Sequence, residues 1–144
     1  MTSASVQTAR RASVLLVEDN PADASLVEEA LSEAHVNCGL QVLGDGKKAF
    51  EYITLIEQNE TPCPDLVMLD LNLPRISGEE VLKRLRRSAK CGLVKVLIIT
   101  SSNTPADRER MMDLGATDYF RKPSSLEQFL ELGPKVRQML LAER

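Results

Sequence analysis

The sequence predicts an α/β fold, a doubly wound parallel sheet with helices on both faces, on the basis of two patterns. Short apolar runs alternate with amphipathic segments of helical period along the 144 residues, which is typical of repeated β-α units. The run Leu66–Leu69 is apolar throughout and is bounded by Pro64-Asp65 and Pro74, as expected of a strand that is buried on both faces. We therefore expect five parallel strands, with this run in a central position.

The strands are predicted from apolar runs that end at turn or capping residues. They are Ser13–Val17, Leu40–Val42, Leu66–Leu69, Val94–Ile99 and Asp118–Phe120. For a unit of this length, the common arrangement of five such strands is the flavodoxin-like order 2-1-3-4-5.

Helices are expected in each of the connections and after the last strand. Asn20 should cap the first helix, and Asp23 should add negative charge at its positive end. The fourth helix should begin at about Pro105, and the last should carry the apolar residues from Leu126 to Leu140. Gly133-Pro134 should kink or split this last helix, because proline cannot donate a hydrogen bond to the preceding turn.

Composition and charge exclude several classes of protein. Charged residues make up 27% of the chain and the net charge is −3, which argues against a general nucleic-acid binder. The basic cluster is interpreted as a solvated helix face; it consists of Lys83, Arg84, Arg86 and Arg87. No apolar stretch approaches the roughly 18 residues of a membrane span, so no membrane association is expected.

The two ends of the chain and its cysteines complete the outline. Residues 1–12 are predicted to form a flexible N-terminal tail, and residues 13–144 a single domain. Cys38, Cys63 and Cys91 lack the spacing of metal ligands. We expect them to be reduced thiols of a cytoplasmic protein.

Reactive side chains follow four of the predicted strands. Glu18-Asp19 come at the end of the first strand, Asp70 at the end of the third strand and Thr100 at the end of the fourth. Lys122 lies just past the fifth strand. A parallel sheet brings these positions to one edge, where the carboxylates cannot all stay ionised unless a cation compensates them. Mg²⁺ prefers such oxygen ligands and is usually shared with a phosphate. The lysine and the hydroxyl fit a phosphoryl group, for which Asp70 would be the nucleophile.

Each of these residues also has an ordinary structural explanation. Glu18-Asp19 could mark a helix entry, Asp70 a strand end, Thr100 a strand-end hydroxyl, and Lys122 a surface cation. Their coincidence at one sheet edge is what favours a reactive site.

Six motifs stand in the same order along the chain as in a known family. They are Leu15–Asn20, Asp65–Pro74, Gly78, Thr100-Ser101, Gly115-Ala116 and Lys122-Pro123. In this order and spacing the chain resembles the response-regulator receiver domains of two-component signalling, over about residues 13–142. Glu18–Asp23 and Leu69–Arg75 are, in addition, similar to stand-alone regulators that serve bacterial phytochrome-type kinases.

The resemblance implies a role for each site residue. Asp70 would be the phosphoacceptor, Thr100 would bind a phosphoryl oxygen, and Lys122 would form a salt bridge to it. The implied Mg²⁺ ligands are Asp19 and Asp70 directly, Asn72 through its backbone carbonyl, and Glu18 through water. Tyr119 resembles the aromatic residue whose rotamer follows the position of Thr100, although a half-buried strand tyrosine is the alternative. A cis Lys122-Pro123 peptide is also implied.

The resemblance further implies a single-domain phosphoacceptor switch and not a multiple-turnover enzyme. A partner histidine kinase, of phytochrome type if the narrower likeness holds, would supply the phosphoryl group. The switch would act through the fourth helix, the fifth strand and the fifth helix, from about Pro105 to Leu140. After Lys122-Pro123 there is room for one helix, so output is expected from a downstream partner. A homodimer is compatible with the resemblance. The subgroup often has an aromatic-rich final helix, however, whereas this chain has Gly133-Pro134 there and no tryptophan.

Three other functions compete with this interpretation. A haloacid-dehalogenase-like phosphatase would need a second aspartate two residues after Asp70, where Asn72 stands. A flavodoxin-like cofactor carrier would need a phosphate-binding loop after the first strand, where Glu18-Asp19 would repel a phosphate. A receiver-like module that only binds partners is the third. Stoichiometric labelling by acetyl phosphate distinguishes a switch from a phosphatase, and a flavin absorbance band would reveal a carrier.

Overall fold

A single parallel sheet organises the computed structural model, which describes residues 11–102 and 104–142. Its five strands lie in the order β2-β1-β3-β4-β5. The strands are β1 Ala12–Val17, β2 Cys38–Leu43, β3 Leu66–Asp70, β4 Lys95–Thr100 and β5 Asp118–Arg121. The predicted strand order is therefore confirmed. Residues 1–10 of the predicted N-terminal tail lie outside the described residues, and β1 begins within the remainder of it, at Ala12.

Six helices within the described residues connect and cover these strands. They are α1 Pro21–Glu33, α2 Gly46–Glu57, α3 Gly78–Arg86, α4 Pro105–Asp113, α5 Leu126–Phe129 and α6 Leu132–Leu141. None of the helices in this part of the chain is long and apolar enough to cross a bilayer.

Alternate residues of each central strand enter two different cores. Leu15, Val67 and Ile98 pack into the core beneath α2, α3 and α4. Leu16 and Met68 face the opposite core, beneath α1, α5 and α6. Because successive side chains of a strand point to opposite faces, a strand covered on both sides must be apolar throughout. All five residues of β3 are buried, and the single polar residue among them, Asp70, stands at the carboxyl end of the strand.

Local capping turns the chain away from the sheet directly after the polar strand ends. The Asn20 side chain accepts hydrogen bonds from the backbone N–H groups of Ala22 and Asp23, so α1 begins immediately after Glu18-Asp19. A reciprocal capping box between Ser77 and Glu80 starts α3. The helices therefore leave the carboxyl edge of the sheet open.

The final helix is split, as predicted, but the break lies at Leu130-Glu131, between α5 and α6. Gly133 and Pro134 occupy the first turn of α6 instead. Backbone N–H groups in a first turn have no partner within the helix, so the missing N–H of proline costs no helical hydrogen bond there. At Gly133 a Cβ atom would lie 2.4 Å from the Ala30 carbonyl oxygen. The glycine thus allows α6 to pack closely on α1.

Two predictions about covalent and backbone structure are wrong. Cys63 and Cys91 form a disulfide, while Cys38 is free. The two half-cystines are 28 residues apart in sequence, but the loops before β3 and β4 bring their Cα atoms to 5.6 Å, which suits a disulfide. The described residues also contain no cis peptide bond, so Lys122-Pro123 is trans. The Lys122 side chain nevertheless reaches Asp70.

Three of the four side chains of the basic cluster, those within α3, are engaged within the fold. Arg84 forms two hydrogen bonds to the Glu57 carboxylate, at 2.7 and 2.6 Å, and Lys83 pairs with Glu79 at 3.1 Å. Arg86 is not a solvated residue as predicted, since its guanidinium donates to the carbonyls of Gly92, Val94 and Gly115. The contacts of Arg84 and Arg86 tie α3 to its neighbours, whereas Arg87 is exposed as predicted.

Candidate functional site

Three carboxylates meet where β1 and β3 end. Glu18, Asp19 and Asp70 each place one carboxylate oxygen so that all three oxygens lie within 4.8 Å of one another. Glu18 and Asp70 are buried, with 2% and 5% of their surface exposed, and Asp19 is exposed. The sequence predicted this convergence. A cluster that is buried on one side and open on the other can admit a cation from solvent.

The ammonium group of Lys122 compensates this negative charge. Its Nζ atom donates to Glu18 Oε1 at 2.6 Å, to Asp23 Oδ2 at 2.8 Å and to Asp70 Oδ2 at 3.3 Å. An ammonium has three N–H donors, so all three have a carboxylate partner. The Lys122 side chain is only 9% exposed, and its ion pairs with the buried Glu18 and Asp70 are therefore little screened by water.

Asp23 is a residue of the site whose role the sequence patterns did not reveal. The sequence assigned its charge only to the helix N-terminus, whereas the structure pairs it with Lys122. The available signal was its position four residues after Asp19, in the first turn of the helix that begins directly after β1. That spacing places Asp23 beside the other acids, but only the tertiary structure gives it a partner.

The electrostatics of the site shift two pKa values in the same direction. Burial raises the pKa of Glu18 to about 7, and the negative charge of Asp70 adds to this effect, against the hydrogen bond from Lys122. Burial lowers the pKa of Lys122, but hydrogen bonds to Asp23 and Glu18 outweigh it and hold the pKa above its usual value. Lys122 is therefore a permanent cation at neutral pH.

Asn72 links the candidate acceptor to the candidate hydroxyl. Its backbone N–H donates to Asp70 Oδ1 at 3.1 Å, and its side-chain Nδ2 donates to Thr100 Oγ1 at 3.2 Å. Thr100 is fully buried, and its oxygen also accepts from the Ser102 N–H at 3.3 Å. Since Thr100 Oγ1 already accepts two hydrogen bonds, its own hydroxyl proton is the group that it can offer to a new oxygen.

Tyr119 lies on the neighbouring strand and contacts the loop that follows Thr100. Its hydroxyl donates to the Ser102 carbonyl oxygen at 3.2 Å, and the guanidinium carbon of Arg108 lies 5.5 Å from its ring centroid. The residue is 6% exposed, so it is more deeply buried than the half-buried strand tyrosine that we considered. It connects the loop after Thr100 with helix α4.

The oxygen ligands fit a divalent cation. Carboxylates from two adjacent strands converge within one coordination sphere, and hard cations such as Mg²⁺ take carboxylate, carbonyl and water oxygens. Nitrogen and sulfur ligands, which softer metals prefer, are absent from this cluster. The site therefore suits Mg²⁺ or a cation of similar hardness.

The family model described as the response regulator receiver domain matches residues 14–132. The chain belongs to this family. The receiver domain is 33% identical to the probable methanogenesis regulatory protein FilR2 of Methanothrix harundinacea, over 89% of this chain and 83% of that protein. It is 32% identical to the response regulator Rcp1 of Synechocystis, over 83% and 82% of the two chains.

Solved structures of response regulators, including one of a cyanobacterial phytochrome response regulator, resemble this receiver domain closely. The phosphorylated cyanobacterial phytochrome response regulator RcpA superimposes with a TM-score of 0.82 at 30% identity, covering 92% of this chain and 96% of that one. The Mn²⁺-bound form of Rcp1 gives 0.80 at 29% identity, with the same coverage. The resemblance drawn from the motifs is thus confirmed, both for the family and for its similarity to regulators of this kind.

Proposed function

We propose that this response regulator accepts a phosphoryl group on Asp70 from a partner histidine kinase, in a Mg²⁺-dependent reaction. The observation that carries the proposal is the position of Asp70. It is the buried acid of the carboxylate cluster that is hydrogen-bonded both to Lys122 and, through Asn72, to Thr100. These are the groups needed to hold a phosphoryl group against the acid.

The transfer forms one bond and breaks one. A carboxylate oxygen of Asp70 forms the new O–P bond, the P–N bond of the phosphorylated kinase histidine breaks, and the imidazole leaves with the electron pair. The product is an acyl phosphate. Lys122 then donates to one phosphoryl oxygen and the Thr100 hydroxyl to another, so that fixed donors meet the charge as it develops.

The carboxylate cluster supplies the metal-binding part of the proposal. Asp19 and Asp70 would hold Mg²⁺ directly, Asn72 through its backbone carbonyl and Glu18 through a water molecule. When bound, the ion neutralises charge on the phosphoryl oxygens and so lowers the barrier to transfer. The close arrangement of the three acids and the Mn²⁺-bound form of the related Rcp1 support this assignment.

Phosphorylation would act on an output face, which we define as α4, β5, α5 and α6. The phosphoryl group adds close to two negative charges, towards which Thr100 would move. The hydrogen bonds from Ser102 to Thr100 and from Tyr119 to Ser102 provide a physical route to this face. Tyr119 would follow Thr100, and Arg108, which covers its ring, would move with it.

A phosphorylation switch of this kind needs two partners, a donor of the phosphoryl group and a target that recognises the phosphorylated state. The donor would be a phytochrome-type histidine kinase, as suggested by the similarity to RcpA and Rcp1. The downstream target, or a second copy in a homodimer, would bind the output face differently in the two states. Receiver domains act as phosphoacceptor switches, so the signal is the phosphorylated protein itself and no product accumulates.

Labelling with a small phosphodonor tests the acceptor. In Mg²⁺ and acetyl phosphate the protein should gain one acid-stable, base-labile phosphoryl group, visible as a mass increase, and chelation should prevent it. Asp70→Asn should abolish the gain, while the exposed Asp113→Asn should leave it intact. Labelling that persists in Asp70→Asn would contradict the assignment. No labelling of the wild type would favour a module that only binds partners, and continuous phosphate release would favour a phosphatase.

A further inference from the structure

Asp23 differs from the other two carboxylates that bind Lys122. Glu18 and Asp70 belong to the cluster of acids that fits a metal, and Asp23 does not. Its hydrogen bond to Lys122 is nevertheless short, at 2.8 Å, compared with 3.3 Å for the bond from Lys122 to Asp70. Asp23 is therefore a carboxylate partner of Lys122 that the proposed chemistry leaves free.

The demands on Lys122 change once the site is in use. In the proposed function Asp70 would hold the cation directly and Glu18 through a water molecule, and Asp70 would also carry the phosphoryl group. Both then offer less negative charge to the ammonium. An ammonium on a flexible four-carbon chain is a point charge without a fixed direction. It needs a second anchor if it is to stay aimed at the phosphoryl oxygen.

The backbone of Asp23 is held in place for this task. It lies in the first turn of α1, and its N–H donates to the capping side chain of Asn20 at 3.3 Å. Asp23 and Lys122 both line a cavity of about 470 Å³, together with Ser101 and Ser124. The ion pair thus borders an open space at the carboxyl edge of the sheet, where β4 and β5 end.

We propose that Asp23 is a positioning residue, which keeps the Lys122 ammonium directed at the phosphoryl group of Asp70. This inference rests on the proposed function. One N–H of Lys122 donates to Asp23 in both the unphosphorylated and the phosphorylated protein, while a second N–H donates to Asp70 before phosphorylation and to a phosphoryl oxygen after it. Asp23 itself touches neither the metal nor the phosphoryl group. Its effect on phosphoryl binding therefore depends on Lys122.

Because Asp23 acts through Lys122, the proposal predicts a change in phosphoryl-mimic affinity opposite to that expected from charge repulsion alone. The negative charge of Asp23 repels an anion through space. If Asp23 did not position Lys122, removing this charge would therefore tighten the binding of a phosphoryl mimic. Loss of an anchor for Lys122 would weaken binding instead. Asp23→Asn removes the charge–charge attraction to the ammonium, so it should weaken the anchor although the amide oxygen can still accept a hydrogen bond.

The experiment measures the affinity for beryllofluoride, a phosphoryl mimic, by titration in saturating Mg²⁺ with nuclear magnetic resonance detection. Asp23→Asn should bind it about 2- to 5-fold more weakly than wild type, in keeping with a partly exposed ion pair. The exposed Glu29→Gln on the same helix removes the same charge and should change affinity less than about 2-fold. Asp23→Glu should restore much of the loss.

A second background separates positioning from a structural defect. In Lys122→Met, whose own affinity is reduced, adding Asp23→Asn should cause no further loss, or a slight gain as the repulsion is relieved. Unchanged or tighter binding by Asp23→Asn with Lys122 present would overturn the inference, as would an equal loss in both backgrounds. If Asp23→Asn is poorly folded by circular dichroism, the same comparisons are made with Asp23→Ser. Failure of the wild type to bind beryllofluoride would overturn the proposed function as well.

Discussion

Gly78 lies so close to Asp70 that a Cβ atom at position 78 would be 2.1 Å from the Asp70 carbonyl oxygen. It would also be 2.8 Å from the Cα atom of Leu71, and the Gly78 N–H donates to the Leu71 carbonyl at 3.1 Å. The start of α3 thus packs directly on the backbone that carries the candidate acceptor. This glycine is required by close packing, and its mutation should affect both stability and the site.

Gly78→Ala should lower the free energy of unfolding by about 1–3 kcal/mol, because the added methyl group forces the backbone at Asp70 to move. Phosphorylation by acetyl phosphate should also slow in the folded fraction. Urea denaturation and the labelling rate measure the two effects. The matched control is Gly44→Ala, since a Cβ atom there meets nothing within 4 Å. Equal stabilities for the two variants would contradict this account of Gly78.

The disulfide between Cys63 and Cys91 should stabilise the domain. It closes a loop of 28 residues, for which the loss of unfolded-chain entropy corresponds to about 2–4 kcal/mol. A reductant should therefore lower the Tm of the wild type, whereas Cys63→Ser should have a lower Tm that the reductant does not change further. Cys38→Ser should respond like the wild type. Thiol titration of unfolded, unreduced protein should find one free thiol, and three would show that the bond does not form.

The route from Thr100 to the output face predicts a change in amide hydrogen exchange. Beryllofluoride should alter protection across residues 105–140 in the wild type, because Thr100 is joined to Tyr119 through Ser102. Moving a population from about 1:99 to 99:1 takes roughly 5.5 kcal/mol, which a few charge-assisted hydrogen bonds can supply. Thr100→Ala should lose this response and the exposed Thr54→Ala should keep it. An unchanged wild type, or an equal response in Thr100→Ala, would exclude the coupling.

Stability should fall in acid partly through the ion pair between α3 and α4. Hydrogen bonds from Arg110 at 2.7 and 2.6 Å lower the pKa of Glu79 to about 2. A carboxyl group whose pKa is lower in the folded state stabilises the fold above its unfolded pKa near 4.5, and loses that contribution as the pH falls towards 2. The slope of unfolding free energy against pH should be shallower in Glu79→Gln. Arg110→Gln should flatten it similarly, and a slope unaltered in both variants would rule out this contribution.

The strands and the edge that bears the site could be predicted because they depend on local patterns. The strand order could be predicted because it is the common arrangement of five β-α units. An apolar run with no polar face, such as Leu66–Leu69, is suited only to a strand covered on both sides. Glu18-Asp19, Asp70 and Thr100 could be assigned to one edge because each follows such a run, and parallel strands end together. These inferences need only the spacing of apolar residues along the chain and the direction of each strand, and they need no atomic distances.

The pairings between distant residues were decided only by the tertiary structure. Asp23 and Lys122 are far apart in the chain and meet because α1 and the loop after β5 border the same edge. Cys63 and Cys91 lie in two loops whose separation depends on how β3 and β4 are placed. The sequence by itself determined which segments are strands and which side chains could react. Packing decided which charges and thiols come within bonding distance, because that distance depends on every helix and loop between them.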